Sequence, residues 1–183
     1  MAAVGVLVFL NAFFVAAEFA LVSLRRSRIE QMVDERHRFG RMLLRAKDDP
    51  NRFISAAQLG ITMASLGLGW IGESTVAAII GPLFEGLGTE FLGAAAVHSV
   101  SFVVSFILIT MLHIVLGEQV PKMVALQHAE RTAIVTVGPT EACYRVFRPF
   151  IAAFTGLTNL SLDCSASSLP PNMRVRSRRK SSS

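Results

Sequence analysis

The sequence predicts an all-α membrane protein: three transmembrane helices with amphipathic juxtamembrane helices on the cytoplasmic side. Three observations carry that prediction. Hydrophobic residues make up 52% of the 183 residues, and the mean hydropathy is +0.50, a membrane-protein value. The 26 residues Phe91–Leu116 contain no Asp, Glu, Lys or Arg; at about 1.5 Å per residue they cross a bilayer with tilt to spare. All 18 Lys and Arg fall into two zones, nine from Arg25 to Arg52 and nine from Lys122 to Lys180, with none in residues 1–24 or 53–121. The net charge of +5 therefore reads as positive-inside patterning and not as a nucleic-acid footprint.

The elements follow in order. A first span covers about residues 2–24, with Asn11, Glu18 and Ser23 as its notable polar groups. A cleavable signal peptide is the rival reading, but a basic leading region and a small-residue cleavage site are missing. Residues 26–50 read as helical and interfacial, with Ile29, Met32, Val33 and Leu43 set among charges. The second span covers about 53–72. The connection Gly72–Glu90 carries Glu73, Glu85 and Glu90 but no Lys or Arg, which makes it external. The third span covers about 91–116. Three spans starting from an outside N-terminus leave the C-terminus inside, as its basic residues require. The expected location is the cytoplasmic (inner) membrane, multi-pass.

Residues 122–160 complete the membrane domain, 1–160, as further interfacial helices. Glu141, Arg145, Arg148, Pro139 and Pro149 would be costly at bilayer depth. From about Ser161 the hydrophobic periodicity stops, and residues 161–183 read as a disordered basic tail. Cys143 and Cys164 fall on the cytoplasmic side, where no disulfide is expected.

The segment with the most chemistry is Gly117-Glu118-Gln119-Val120-Pro121-Lys122 at the end of the long apolar run. Pro121 has no N–H, so the helical bond to the carbonyl four residues back, that of Gly117, cannot form. A carboxylate and a freed carbonyl thus sit side by side, both hard oxygen donors suited to Mg2+ or Ca2+. In the second span Ser55, Gln58, Thr62, Ser65 and Gly69 share one helical face. Such a stripe serves either helix packing or an ion path. Asn11 and Glu18, seven apart, share a face of the first span, and an intramembrane carboxylate needs a partner, a proton or a cation.

Small residues at Ala12, Ala16 and Ala20 and at Gly60, Ala64 and Gly67 permit close helix approach, within one protomer or between two. His98, His113, Ser101 and Ser105 read as packing residues, and Trp70 as an interfacial anchor. No phosphate loop, dinucleotide fingerprint, nucleophile elbow or cysteine–histidine zinc pattern is present, so no enzymatic chemistry is expected.

Three of these segments together resemble the transmembrane domain of the CorC/CNNM magnesium-transporter family, also called hemolysin-C-like membrane proteins. They are Asn11-Ala-Phe-Phe-Val-Ala-Ala-Glu18 running on to Ser23, Gln58-Leu-Gly-Ile-Thr-Met-Ala-Ser65 running on to Glu73, and Gly117 to Lys122. The resemblance covers about residues 1–160. It implies a homodimer that moves Mg2+, with Na+ as coupling ion, and holds a largely dehydrated ion between its helices. On this chain the implied ligands are Ser23, Ser65, the Gly117 carbonyl and Glu118, with Asn11, Glu18 and Thr62 as second candidates. A membrane scaffold that senses Mg2+ and controls a partner is the alternative. Family members continue into a paired CBS module that binds adenine nucleotides. That module lies outside this sequence, so no nucleotide is expected. The expected partners are a second copy and the lipid bilayer, without nucleic acid.

Overall fold

The computed structural model describes the backbone of residues 2–167, and their side chains except in parts of 73–98 and 154–167. Among the described residues six α-helices follow one another: α1 Ala2–Ser23, α2 Arg26–Asp34, α3 Gly40–Asp48, α4 Pro50–Leu112, α5 Val120–Gln127 and α6 Ala129–Ser167. A π-helical turn, His113–Gln119, joins α4 to α5. Among the described residues three helical stretches are long and apolar enough to cross a membrane: Ala2–Ser23, Pro50–Gly72 and Ser99–Gln127.

α4 is not a straight rod. Thirty-seven residues of helix would separate Gly72 from Ile109 by about 55 Å, yet a Cβ on Gly72 would lie 3.0 Å from the Ile109 side chain. The chain therefore reverses between these two residues, so that one helical element supplies two antiparallel arms. The segment expected as a connection, Gly72–Glu90, has helical backbone throughout.

The third apolar stretch also differs from expectation. It runs on to Gln127 instead of ending at Leu116. Pro121 does not stop it, because a proline is tolerated in a first helical turn, and the π turn delivers it into the first turn of α5. Residues 122–127 thus extend the third stretch, and the helix after it, α6, begins at Ala129. α6 continues to Ser167, past the Ser161 boundary expected for the tail; residues 168–183 lie outside the described residues.

Among the described residues, those up to Arg145 form one compact unit and those from Val146 a second. The first unit has its main core where the basic helices meet the spans. Ala17, Ala20, Leu21 and Leu24 pack there with Ile29 and Met32 of α2, Leu43 and Ala46 of α3, Phe53 of α4, Ala125 of α5, and Ala133 and Val137 of α6. A smaller cluster toward the other end of α1 joins Val4 and Val8 to Leu68 and Ile109 from the two arms of α4. The small residues of the second span work inside this packing. A Cβ on Gly60 would come within 2.4 Å of the Phe14 ring, and one on Gly67 within 3.1 Å of Leu7.

The interfacial segment 26–50 is two helices, not one. α2 ends with Arg36 N–H bonded to the Val33 carbonyl and His37 N–H to that of Met32. This is a Schellman-type close, and Arg36 takes the left-handed position, at φ 57°. Gly40 is required just beyond, since a Cβ there would stand 3.0 Å from the Met32 and Val33 backbone.

Ionic contacts fasten this basic end. Lys47 donates to the Leu21 and Val22 carbonyls at 2.9 and 3.2 Å, satisfying the last turn of α1. Arg28 forks onto Glu130 at 2.9 Å through both nitrogens and holds that carboxyl below its ordinary range. Arg52 pairs with Glu141 and lies 4.1 Å over the Tyr144 ring.

Candidate functional site

The site begins with what Pro121 does to the backbone. Lacking an N–H, it leaves the Gly117 carbonyl without its α-helical partner. The chain responds by widening: Val120 N–H bonds the Val115 carbonyl, five residues back. The Gly117 carbonyl is instead taken by the Asn11 amide, whose Nδ2 donates to it at 3.0 Å. Glycine is needed here, since a Cβ would stand 2.8 Å from His113 Cδ2 and 3.0 Å from Asn11 Nδ2.

The other end of the Asn11 amide faces the second span. Ser65 Oγ donates to Asn11 Oδ1 at 3.2 Å and lies 3.3 Å from His113 Nε2. A serine has one proton. With that proton on Asn11, the imidazole nitrogen is the donor in the second contact. His113 Nε2 is in turn 4.0 Å from the Glu118 carboxylate. One directed chain results: His113 to Ser65, Ser65 to Asn11, Asn11 to the Gly117 carbonyl. Asn11 is fully buried at its centre, whereas the Glu118 side chain is 45% exposed.

The structure thus brings together Asn11, Ser65, Gly117 and Glu118, one group or more from each of the three spans. It leaves Ser23 out. That hydroxyl donates to the Phe19 carbonyl of its own helix at 2.6 Å, and twelve residues of helix, about 18 Å, separate it from Asn11. Thr62 is exposed and likewise bonded within its helix, to the Gln58 carbonyl at 2.8 Å. Glu18 is half-buried, with no hydrogen bond or ion pair to another described residue.

His113 was read from the sequence as a packing residue, and the structure gives it a polar role. The signal was its position, one turn before Gly117, which puts both on one face. His98 lies outside the residues with described side chains. Ser101 and Ser105 are buried, with Ser105 bonded to the Ser101 carbonyl, as a packing role requires.

The site also lies farther from the end of its apolar stretch than its place in the sequence suggested. Gly117 stands ten residues before the end of the third apolar stretch at Gln127, and Asn11 is near the middle of α1. Among the described residues no three His, Cys, Asp or Glu side chains converge on one point. The donor set is therefore one carboxylate with neutral oxygens from a serine, a carbonyl and an amide. Hard oxygens of low total charge suit a hard cation better than a transition metal.

A family model described as the cyclin M (CNNM) transmembrane N-terminal domain matches residues 2–168. The UPF0053 protein YhdT of Bacillus subtilis is 45% identical over 157 residues, which are 86% of this chain and 33% of the relative. The UPF0053 protein YhdP of the same organism is 40% identical over 148 residues, 81% of this chain and 33% of the relative. A protein of Haemophilus influenzae named polyamine export protein is 27% identical over 158 residues, 86% of this chain and 36% of the relative. The chain spans about a third of the length of these relatives.

Proposed function

The chain belongs to the cyclin M transmembrane N-terminal domain family, and from that premise we propose that it is the membrane core of a Mg2+ transporter. Its cargo leaves the cytoplasm in exchange for Na+, across the inner membrane. The N-terminus is outside, the C-terminus inside, and the working unit is a homodimer. The observation that carries this reading is the Gly117 carbonyl, presented by the π turn among Asn11, Ser65 and Glu118 well inside the spans. A backbone oxygen turned out of its helix at membrane depth is stable only beside a partner or a cavity. The oxygen types around it are those that replace the water shell of a small divalent cation.

Ser65, the Gly117 carbonyl and Glu118 are the groups that take the ion, and Glu118 supplies the formal charge. Two other readings have support of their own. The name of the Haemophilus relative favours a polyamine as cargo, for which Glu118 serves as counter-charge to an ammonium. A Mg2+-sensing scaffold that moves nothing uses the same oxygens.

Flux into proteoliposomes separates the three. Wild-type protein is expected to move Mg2+ down its gradient and to respond to an opposing Na+ gradient, with Glu118→Gln reducing the rate at least tenfold. Spermidine flux without Mg2+ flux assigns the polyamine cargo. Saturable Mg2+ binding with no flux of either cargo leaves the sensing scaffold.

A further inference from the structure

The Asn11 amide is fully buried and engaged at both ends, its nitrogen on the Gly117 carbonyl at 3.0 Å and its oxygen under the Ser65 hydroxyl at 3.2 Å. The first contact occupies a lone pair of the Gly117 carbonyl, an oxygen that the proposed cation needs, and the second fixes the direction of the Ser65 hydroxyl. Mg2+ binds oxygen at about 2.0–2.1 Å. A cation on the inward lone pair of the Gly117 carbonyl meets the Asn11 N–H, which carries partial positive charge and fills the same space. The amide and the cation therefore exclude one another, and the missing side chain of Gly117, where a Cβ would stand 3.0 Å from the Asn11 nitrogen, is what lets the amide reach the carbonyl.

We propose that Asn11 is a gate on the cation site: its amide holds the Gly117 carbonyl and the Ser65 proton, and a cation enters only by displacing it. This rests on the cation reading above. Displacement breaks two hydrogen bonds and releases two oxygens together, the carbonyl of Gly117 and the hydroxyl of Ser65. Once its proton no longer points at Asn11, the Ser65 hydroxyl turns its lone pairs to the ion. His113 Nε2, 3.3 Å from the Ser65 oxygen, keeps that hydroxyl in place throughout. The gate sets affinity from below. The ion must be bound strongly enough to evict the amide, and the amide returns to speed its release.

Gate and ligand predict opposite signs for one variant. Asn11→Ala removes both competing hydrogen bonds and is expected to tighten Mg2+ binding about thirtyfold, the factor for two neutral hydrogen bonds no longer in competition. Asn11→Asp removes the donor and adds charge, and is expected to tighten it more. The probe is MgCl2 titrated into purified full chain in nanodiscs, read by calorimetry. Weaker or unchanged binding in Asn11→Ala overturns the gate, weaker binding making Asn11 a ligand.

Should the buried variants not fold, wild-type protein labelled with [15N]asparagine decides by nuclear magnetic resonance. The Asn11 side-chain Nδ2 signal is expected to move on saturation with Mg2+, and a signal that stays in place overturns the gate. Absence of saturable Mg2+ binding by wild type overturns the cation reading itself, an outcome distinct from wild-type binding that the variants leave unchanged.

Discussion

Gly117 is the residue on which the most depends, since it gives the site a carbonyl and leaves room for two neighbours. A Cβ there would stand 2.8 Å from His113 and 3.0 Å from Asn11. Gly117→Ala is expected to destabilise the fold by about 1–3 kcal/mol, the usual cost of overpacking, and to break the Asn11 bond. Thermal unfolding in detergent measures the first effect, and loss of the hydrogen-bonded Asn11 amide signal the second. The importance of this carbonyl was legible in the sequence, because a proline lacks an N–H whatever the fold does. The part played by His113 was legible only in its spacing from Gly117, and its contact with Ser65 was not. It depends on Ser65 arriving from the other arm of α4, a meeting no local pattern encodes. Ser23 shows the converse: a hydroxyl at a matching motif position spends its proton on its own helix.

At the level of elements, the existence of the spans was legible and their ends were not. Apolar length alone marks a span. A charge and a proline read as the end of the third, while Met123, Val124, Ala125 and Leu126 continue the apolar run beyond them. The turn that splits α2 from α3 was hidden for a different reason. Its left-handed position, usually glycine, is held by Arg36. Arg36→Gly relieves that conformation while keeping both backbone hydrogen bonds of the turn. It is expected to stabilise the protein by about 1 kcal/mol, read as a higher midpoint in thermal unfolding. The Arg28–Glu130 pair beside it is exposed and screened, and so contributes little. Because the Glu130 carboxyl titrates below its ordinary value, that contribution is present above the ordinary carboxylate pKa and disappears as the pH falls through the lowered one.

At the level of the molecule, the reversal within α4 sets the path of the chain. Residues 26–48 lie at the basic end of the bundle, and the bend between Gly72 and Ile109 puts the middle of α4 at the opposite end. A cysteine introduced near Gly86 and another at Arg36 are therefore expected to react with impermeant reagents from opposite faces of the membrane, Gly86 from outside. Labelling of both from one face would remove this topology. The small residues Gly60 and Gly67 are filled by Phe14 and Leu7 of the same chain, so these two positions are closed to a second copy.

The shortage of charge in the site has an electrical consequence. A divalent ion beside one carboxylate keeps a net charge of +1, and Asn11 stands about halfway along α1. Carrying two charges to mid-depth crosses about half of the transmembrane voltage, which amounts to roughly 2.3 kcal/mol for each 100 mV. That is about a fiftyfold change in occupancy. On the proposed export of Mg2+, a cell interior held negative pulls the ion back toward the cytoplasm, and transport is expected to run faster as the membrane depolarises.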